Sequence, residues 1–141
     1  MKTILIADDE EALRLLIRAT LEGPDLRLLE ASDGAGALEA ARREHPDLIV
    51  LDWMMPGKSG IEVARELRAD PATAGIALLM LTAMGQEKDR QLGLSAGVQA
   101  YLVKPFSPLE LLDCVQEVLR MSEFCRGEAD DAAGKRYPKS A

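Results

Sequence analysis

Soft metal ligands are scarce in this chain. Two cysteines, Cys114 and Cys125, and one histidine, His45, are its whole supply of thiol and imidazole. They fit neither a disulfide framework nor a zinc site. His45 stands just before Pro46 with no partner in sequence, and reads as a surface residue near a helix end. Positive charge is also short: 17 Lys and Arg against 24 Asp and Glu leave a net charge of -7. A nucleic-acid surface neutralises phosphates with clustered cations, so direct nucleic-acid binding is not expected, while a basic partner remains compatible. Long apolar runs are missing as well. None approaches the roughly 18 residues of a membrane span. Met1-Lys2 leads straight into a strand pattern instead of a signal peptide. The expected setting is cytoplasmic, with no membrane partner.

What the chain does have is a regular alternation. At 141 residues, 48% apolar and 29% charged, it has the size and balance of one globular domain. Strands are expected at about 3–7, 26–31, 47–51, 76–81 and 100–103. Helices are expected at about 10–22, 34–44, 59 or 60 to 69, 84–96, and from 108 onward. In the first helix Leu13, Leu16, Ile17, Thr20 and Leu21 recur at helical spacing and should face the core, with Glu11, Arg14, Arg18 and Glu22 on the other side. Gly23-Pro24 stops it. The second strand mixes Arg27 and Glu30 with leucines and reads as a sheet edge. The third is nearly all apolar, as a strand covered on both faces should be. The fourth helix contains Gly85 and Gly93, and glycine weakens a helix interior by roughly 1 kcal/mol. The fifth opens at Ser107-Pro108 and carries the stripe Leu111, Leu112, Val115, Val118 and Leu119. Such alternation implies parallel pairing through right-handed crossovers, hence an α/β fold: a three-layer α/β/α sandwich on a five-stranded parallel sheet. The folded domain is expected over 1–121. Residues 122–141 have little apolar content and read as an added helical turn followed by a tail or linker.

Chemistry gathers where the strands end. Asp8-Asp9, Asp52, Thr82 and Lys104 each close an apolar run. Parallel neighbouring strands share one carboxyl edge, and open α/β sheets bind ligands in the crevice there. Three carboxylates in one cleft repel each other, and a cation relieves that repulsion. Hard oxygen ligands with room for water suit Mg2+. Asp52, lying between the acidic pair and the other two groups, is the carboxylate placed to attack phosphorus and form an acyl phosphate. Lys104 would hold one phosphoryl oxygen and Thr82 another, since phosphoryl transfer needs mainly positioning and charge neutralisation. Taken singly, each residue has a plainer reading. Asp8-Asp9 and Thr82 could cap helices, Lys104 could be a surface lysine, and Asp52 could open a turn. The conjunction of all of them at four strand ends is what favours a site.

The motifs Ile4–Glu10, Asp47–Gly60, Leu81–Ala83 and Gly97–Phe106 together closely resemble the receiver domain of two-component response regulators, and the likeness runs from Lys2 to about Met121. The resemblance implies a flavodoxin-like sheet of order 2-1-3-4-5. It implies that Asp52 takes its phosphoryl group from a sensor histidine kinase or phosphotransfer protein, making residues 1–121 a phospho-acceptor domain. It implies Mg2+ on Asp9, Asp52 and the Met54 carbonyl, with Asp8 acting largely through water. Backbone contacts to the phosphoryl group would come from Trp53, Met54 and Ala83. Lys104-Pro105 corresponds to the family's cis peptide bond. Thr82 and Tyr101 correspond to its switch pair, in which a local charge event biases a two-state element. The output face would be the fourth helix, fifth strand and fifth helix, read by a downstream effector protein or domain. The chain would then be a switch rather than an enzyme, with only slow self-phosphorylation and self-dephosphorylation.

Departures from the family pattern carry information. Met54 and Met84 flank the path of the hydrolytic water and should lengthen the life of the acyl phosphate. Gln99-Ala100 stand where an acidic pair serves a salt-bridged dimer in the winged-helix transcription-factor class, which weighs against that dimer and leaves another homodimer open. With no output domain following in this sequence, the chain is expected to be either a stand-alone regulator that acts by binding a partner or a receiver excised from a larger protein. Ala12, Leu15 and Ala19 form a second apolar flank on the first helix, either extra core contact or a docking face for the kinase's helical bundle. The competing enzyme reading is a haloacid-dehalogenase-type phosphatase. It usually needs a second aspartate two residues after the nucleophile, where this chain has Met54. A flavodoxin-like electron carrier would need a phosphate loop where Asp8-Asp9-Glu10 repel phosphate.

Overall fold

A computed structural model describes residues 2–83 and 95–124, with side chains through 120. Five strands, β1 (Lys2–Ala7), β2 (Leu26–Ala31), β3 (Leu48–Asp52), β4 (Ala77–Thr82) and β5 (Ala100–Val103), form one parallel sheet in the order β2-β1-β3-β4-β5. The described helices are α1 (Glu11–Leu21), α2 (Gly34–Glu44), α3 (Gly60–Ala69) and the C-terminal α4 (Pro108–Phe124). The helix expected at 84–96 falls almost wholly on residues 84–94, outside the described residues. The last helix runs past the expected boundary at 121 to Phe124, the added turn anticipated for the tail.

Strand alternation sends side chains to two cores. Leu5, Ala7, Ile49, Leu51, Leu78 and Met80 pack against α2 and α3. Ile4, Ile6, Leu48, Val50, Leu79 and Leu81 pack against α1 and α4. Both faces of β3 and β4 are therefore covered, and every residue in them is buried. The helix starts follow capping chemistry. Asp33 accepts from the Gly36 N–H at 2.7 Å. Ser59 with Glu62, and Ser107 with Glu110, form reciprocal boxes.

Three expectations change. Both β3 and β4 lie one residue later than their apolar runs, so Asp52 and Thr82 are the last residues of their strands, held by the ladder pairs Asp52↔Leu81 and Thr82↔Val103. Leu16, expected on the core stripe of α1, is 41% exposed. The column packed on the core is the buried pair Ile17 and Leu21 with the partly buried Leu13, spaced by four, and Leu16 lies about a quarter turn away from it. Arg14 and Arg18, expected to face outward, instead reach across to Glu30 on the edge strand β2, at 3.1 and 2.9 Å.

The amino end of the sheet is tied by Arg68, near the end of α3. Its guanidinium donates to the carbonyls of Gly97, Ala74 and Ile76 and to Gln99 Oε1, at 2.6 to 3.0 Å. Gln99 Oε1 also accepts from the Leu78 N–H at 2.8 Å. Gly97, at φ +92°, has no Cβ because the Arg68 side chain fills that space.

Candidate functional site

At the carboxyl edge, between β1 and β3 where the strand order reverses, Asp8, Asp9 and Asp52 come together with carboxylate oxygens within 4.8 Å of one another. Asp8 and Asp52 are buried while Asp9 is exposed. Lys104, just beyond β5, places Nζ 3.2 Å from Asp52 Oδ1 and 4.0 Å from Asp8 Oδ2. Thr82 is buried at the end of β4, and its carbonyl accepts from the Lys104 N–H at 2.7 Å. Lys104-Pro105 is cis.

The backbone around Asp52 is held closely. The Trp53 N–H donates to the Leu81 carbonyl at 2.9 Å, and the Gly60 N–H donates to the Trp53 carbonyl at 2.8 Å. A Cβ at Gly60 would run into the Asp52 carbonyl, so α3 begins against the strand end only because that residue is glycine. Met54 follows, 67% exposed at the mouth of the cleft. Ala83 is exposed after β4, Tyr101 is partly buried in β5 against the α2–α3 core, and Met84 lies outside the described residues.

Capping does not account for Asp8 and Asp9. The N-cap of α1 is Glu10, which makes no side-chain cap. Asp8 Oδ1 accepts from the Glu10 N–H at 2.8 Å, a tight turn ahead of the helix. Asp8 Oδ2 is buried with no hydrogen-bond partner. Burial, aided by the charge of Asp52, pushes the Asp8 carboxyl up to about 6, and burial also raises Asp52 although Lys104 opposes it. An orphaned buried oxygen and mutually repelling carboxylates are what a bound cation would relieve, and an all-oxygen donor set fits Mg2+. The exposed flank of α1, with Leu15 57% exposed and Ala12 and Ala19 also exposed, is not extra core contact.

Sequence reading missed the support for Asp8. Arg14 Nη1 donates to the Asp8 carbonyl at 2.6 Å. The available signal was Glu30, a lone acid in a leucine-rich strand, opposite two arginines.

A parallel sheet of this order, with an acidic, lysine-bearing cluster at the carboxyl-end switch point, defines a flavodoxin-like α/β domain. The response regulator receiver domain family matches residues 4–116. Over 119 residues the chain is 47% identical to the phosphate regulon transcriptional regulatory protein PhoB of Pseudomonas aeruginosa, covering 84% of this chain and 52% of that protein. It is 46% identical over 123 residues to the alkaline phosphatase synthesis transcriptional regulatory protein PhoP of Bacillus subtilis, covering 87% of this chain and 50% of that one. It thus spans about half the length of these relatives. Among solved structures it matches the chemotaxis protein CheY4 of Vibrio cholerae with a TM-score of 0.79 at 32% identity, covering 84% of this chain and 98% of that one. It also matches the receiver domain of a Pseudomonas aeruginosa sensor histidine kinase, solved with magnesium coordinated in its active-site cleft, with a TM-score of 0.76 at 31% identity over 84% of this chain and 98% of that one. The chain belongs to the receiver-domain family of two-component response regulators. The dehalogenase-type alternative is not favoured. No helix among the described residues is long and apolar enough to cross a membrane.

Proposed function

We propose that this domain is a Mg2+-dependent phospho-acceptor switch, with Asp52 taking its phosphoryl group from a phosphohistidine on a sensor histidine kinase or phosphotransfer protein. The observation that carries this reading is the orphaned Asp8 Oδ2 within a carboxylate triad whose nucleophile candidate, Asp52, is paired with Lys104. Asp8, Asp9, Asp52 and the Met54 carbonyl would hold the ion. When bound, Mg2+ offsets the charge of the carboxylates and of the phosphoryl oxygens.

The residues of the chain do the rest. Lys104 favours the ionised, attacking form of Asp52 against the effect of burial. A carboxylate oxygen of Asp52 attacks phosphorus, the bond from phosphorus to the donor imidazole breaks, and the imidazole leaves as a neutral ring once protonated. Lys104 and the Thr82 hydroxyl then hold two phosphoryl oxygens, and the backbone N–H groups of Met54 and Ala83 face the remainder, whereas the Trp53 N–H, expected to join them, is already committed to the Leu81 carbonyl. Drawing Thr82 toward the phosphoryl group opens space for Tyr101 to turn inward, which changes the surface offered to a downstream effector protein or domain. Met54 screens the acyl phosphate from water and lengthens its life. The exposed Leu15 and Leu16 on α1 offer an apolar face to the donor. The acceptor unit spans 1–121, with 122–141 as tail or linker, in a cytoplasmic setting. A homodimer is compatible with this reading.

Trp53, the only tryptophan, directly follows Asp52. Its fluorescence is expected to respond to MgCl2 and again to beryllofluoride or acetyl phosphate, with the second response lost in Asp52→Asn. A wild-type protein that gains no phosphate from a competent donor in Mg2+, by intact mass, would end this reading.

A further inference from the structure

We propose that Arg14 is a positioning residue that aims Asp8 Oδ2 into the acidic cleft. Asp8 has four polar groups, and three are committed. Its N–H donates to the Ala31 carbonyl at 3.1 Å, extending the β1–β2 ladder by one residue. Its Oδ1 accepts from the Glu10 N–H at 2.8 Å. Its carbonyl accepts from Arg14 Nη1 at 2.6 Å. With backbone and one carboxylate oxygen fixed, Oδ2 has one direction left, toward Asp52 and Lys104.

Arg14 is itself held. Its Nε donates to Glu30 Oε1 at 3.1 Å, and its side chain is only 16% exposed. The fork of the guanidinium therefore spans from the edge strand to the turn after β1, which a lysine ammonium could not do from one rotamer. Arg18 supplies an internal comparison. It also pairs with Glu30, at 2.9 Å, but it is 40% exposed, and among the described residues its guanidinium bonds to Glu30 alone. If Arg14 did no more than fasten α1 to β2, Arg18 would do the same. What separates them is the Asp8 carbonyl.

The proposal rests on the acidic triad being a Mg2+ site, where partners behind the ligands typically set affinity by ten- to a hundred-fold. The test uses the full chain with Arg14→Met, Arg14→Lys and Arg18→Met. MgCl2 titration followed by Trp53 fluorescence should give a Kd weakened about ten-fold in both Arg14 variants and unchanged in Arg18→Met. In the metal-free proteins, amide hydrogen exchange at Glu10, whose N–H is held by Asp8 Oδ1, should speed up in the Arg14 variants only. Arg14→Lys keeps the charge and helix propensity, so it stands if Arg14→Met fails to fold. Wild-type affinity and wild-type Glu10 exchange in Arg14→Lys, or equal losses in the Arg14 and Arg18 variants, would overturn the proposal. A wild-type chain blind to MgCl2 would instead sink the metal reading, and Glu10 exchange would still decide whether Arg14 holds the turn.

Discussion

Arg68 and Asp8 are both ionisable groups drawn out of water at opposite ends of one parallel sheet. Around Arg68, at the amino end, partners are complete: three backbone carbonyls and the Gln99 side chain accept from three nitrogens. All of these acceptors are carbonyl oxygens, which carry no formal charge, and burial lowers the Arg68 pKa from its ordinary value. Around Asp8, at the carboxyl end, partners stop one short, and its like-charged neighbours raise the cost of ionisation. A satisfied buried charge fixes geometry, and an unsatisfied one waits for a ligand. The same sheet thus has a closed end and an open one, and parallel topology puts the open end where all the strands point.

The largest expected effect is at the closed end. Arg68→Met would leave the Ala74, Ile76 and Gly97 carbonyls without their donor and is expected to cost about 3 kcal/mol of stability, since each buried unsatisfied group costs roughly 1–3 kcal/mol. Urea unfolding measures this. Magnesium affinity of the folded fraction should be unchanged, because the tether lies at the far edge. A weakened Kd would mean that the two ends are coupled and the contrast is false.

Next comes the open end. A carboxyl whose folded pKa, about 6, exceeds its ordinary 3.8 binds its proton more tightly in the folded state. Without metal, the stabilisation from Asp8 is fully present below pH 4 and is lost as pH rises through about 6. At about 1.4 kcal/mol per unit, the swing is on the order of 2–3 kcal/mol. Asp8→Asn keeps an acceptor for the Glu10 N–H and removes the charge. Metal-free Asp8→Asn should therefore be more stable than wild type at pH 7.5 by on the order of 1–3 kcal/mol, with the gap closing below pH 4. Saturating Mg2+ should stabilise wild type and leave the variant nearly unmoved. A metal-free wild type as stable as Asp8→Asn at pH 7.5 would show that the open end carries no strain.

How far this contrast was legible in the sequence differs between the ends. Strand ends rich in Asp, Thr and Lys stand out because charge interrupts apolar runs, so the sequence pattern alone places Asp8, Asp9, Asp52 and Lys104 at one edge. Periodicity likewise gave α2 and β5 at their observed bounds. Leu16 was misplaced because spacings of three and four both look core-facing in a short helix, and only docking geometry chooses the column. Arg68, and the contact of Arg14 with the Asp8 carbonyl as distinct from its pairing with Glu30, were invisible for a different reason. Arginine on a helix reads as solvent-facing, and nothing local reveals that its acceptors are backbone carbonyls up to 29 residues away. Backbone acceptors have no sequence signature.

The smallest effect tests whether the closed end is complete. Gln99 Oε1 accepts from both Arg68 and the Leu78 N–H. Gln99→Glu keeps that geometry and sets a carboxylate beside the guanidinium. Two terms compete. The ion pair gains from partial burial, while the carboxylate loses hydration, and such sums are often near zero. Since the existing acceptors leave the cation without a counter-charge, the pairing should win narrowly, by about 0.5–1 kcal/mol at pH 7. The gain requires an ionised carboxylate whose folded pKa is depressed, so it should be present above about pH 4 and vanish on acidification. Urea midpoints at pH 7 and pH 3.5 read both arms. A variant less stable than wild type at pH 7 would mean that neutral carbonyls already compensate the buried cation in full, which would sharpen the contrast with Asp8 instead of softening it.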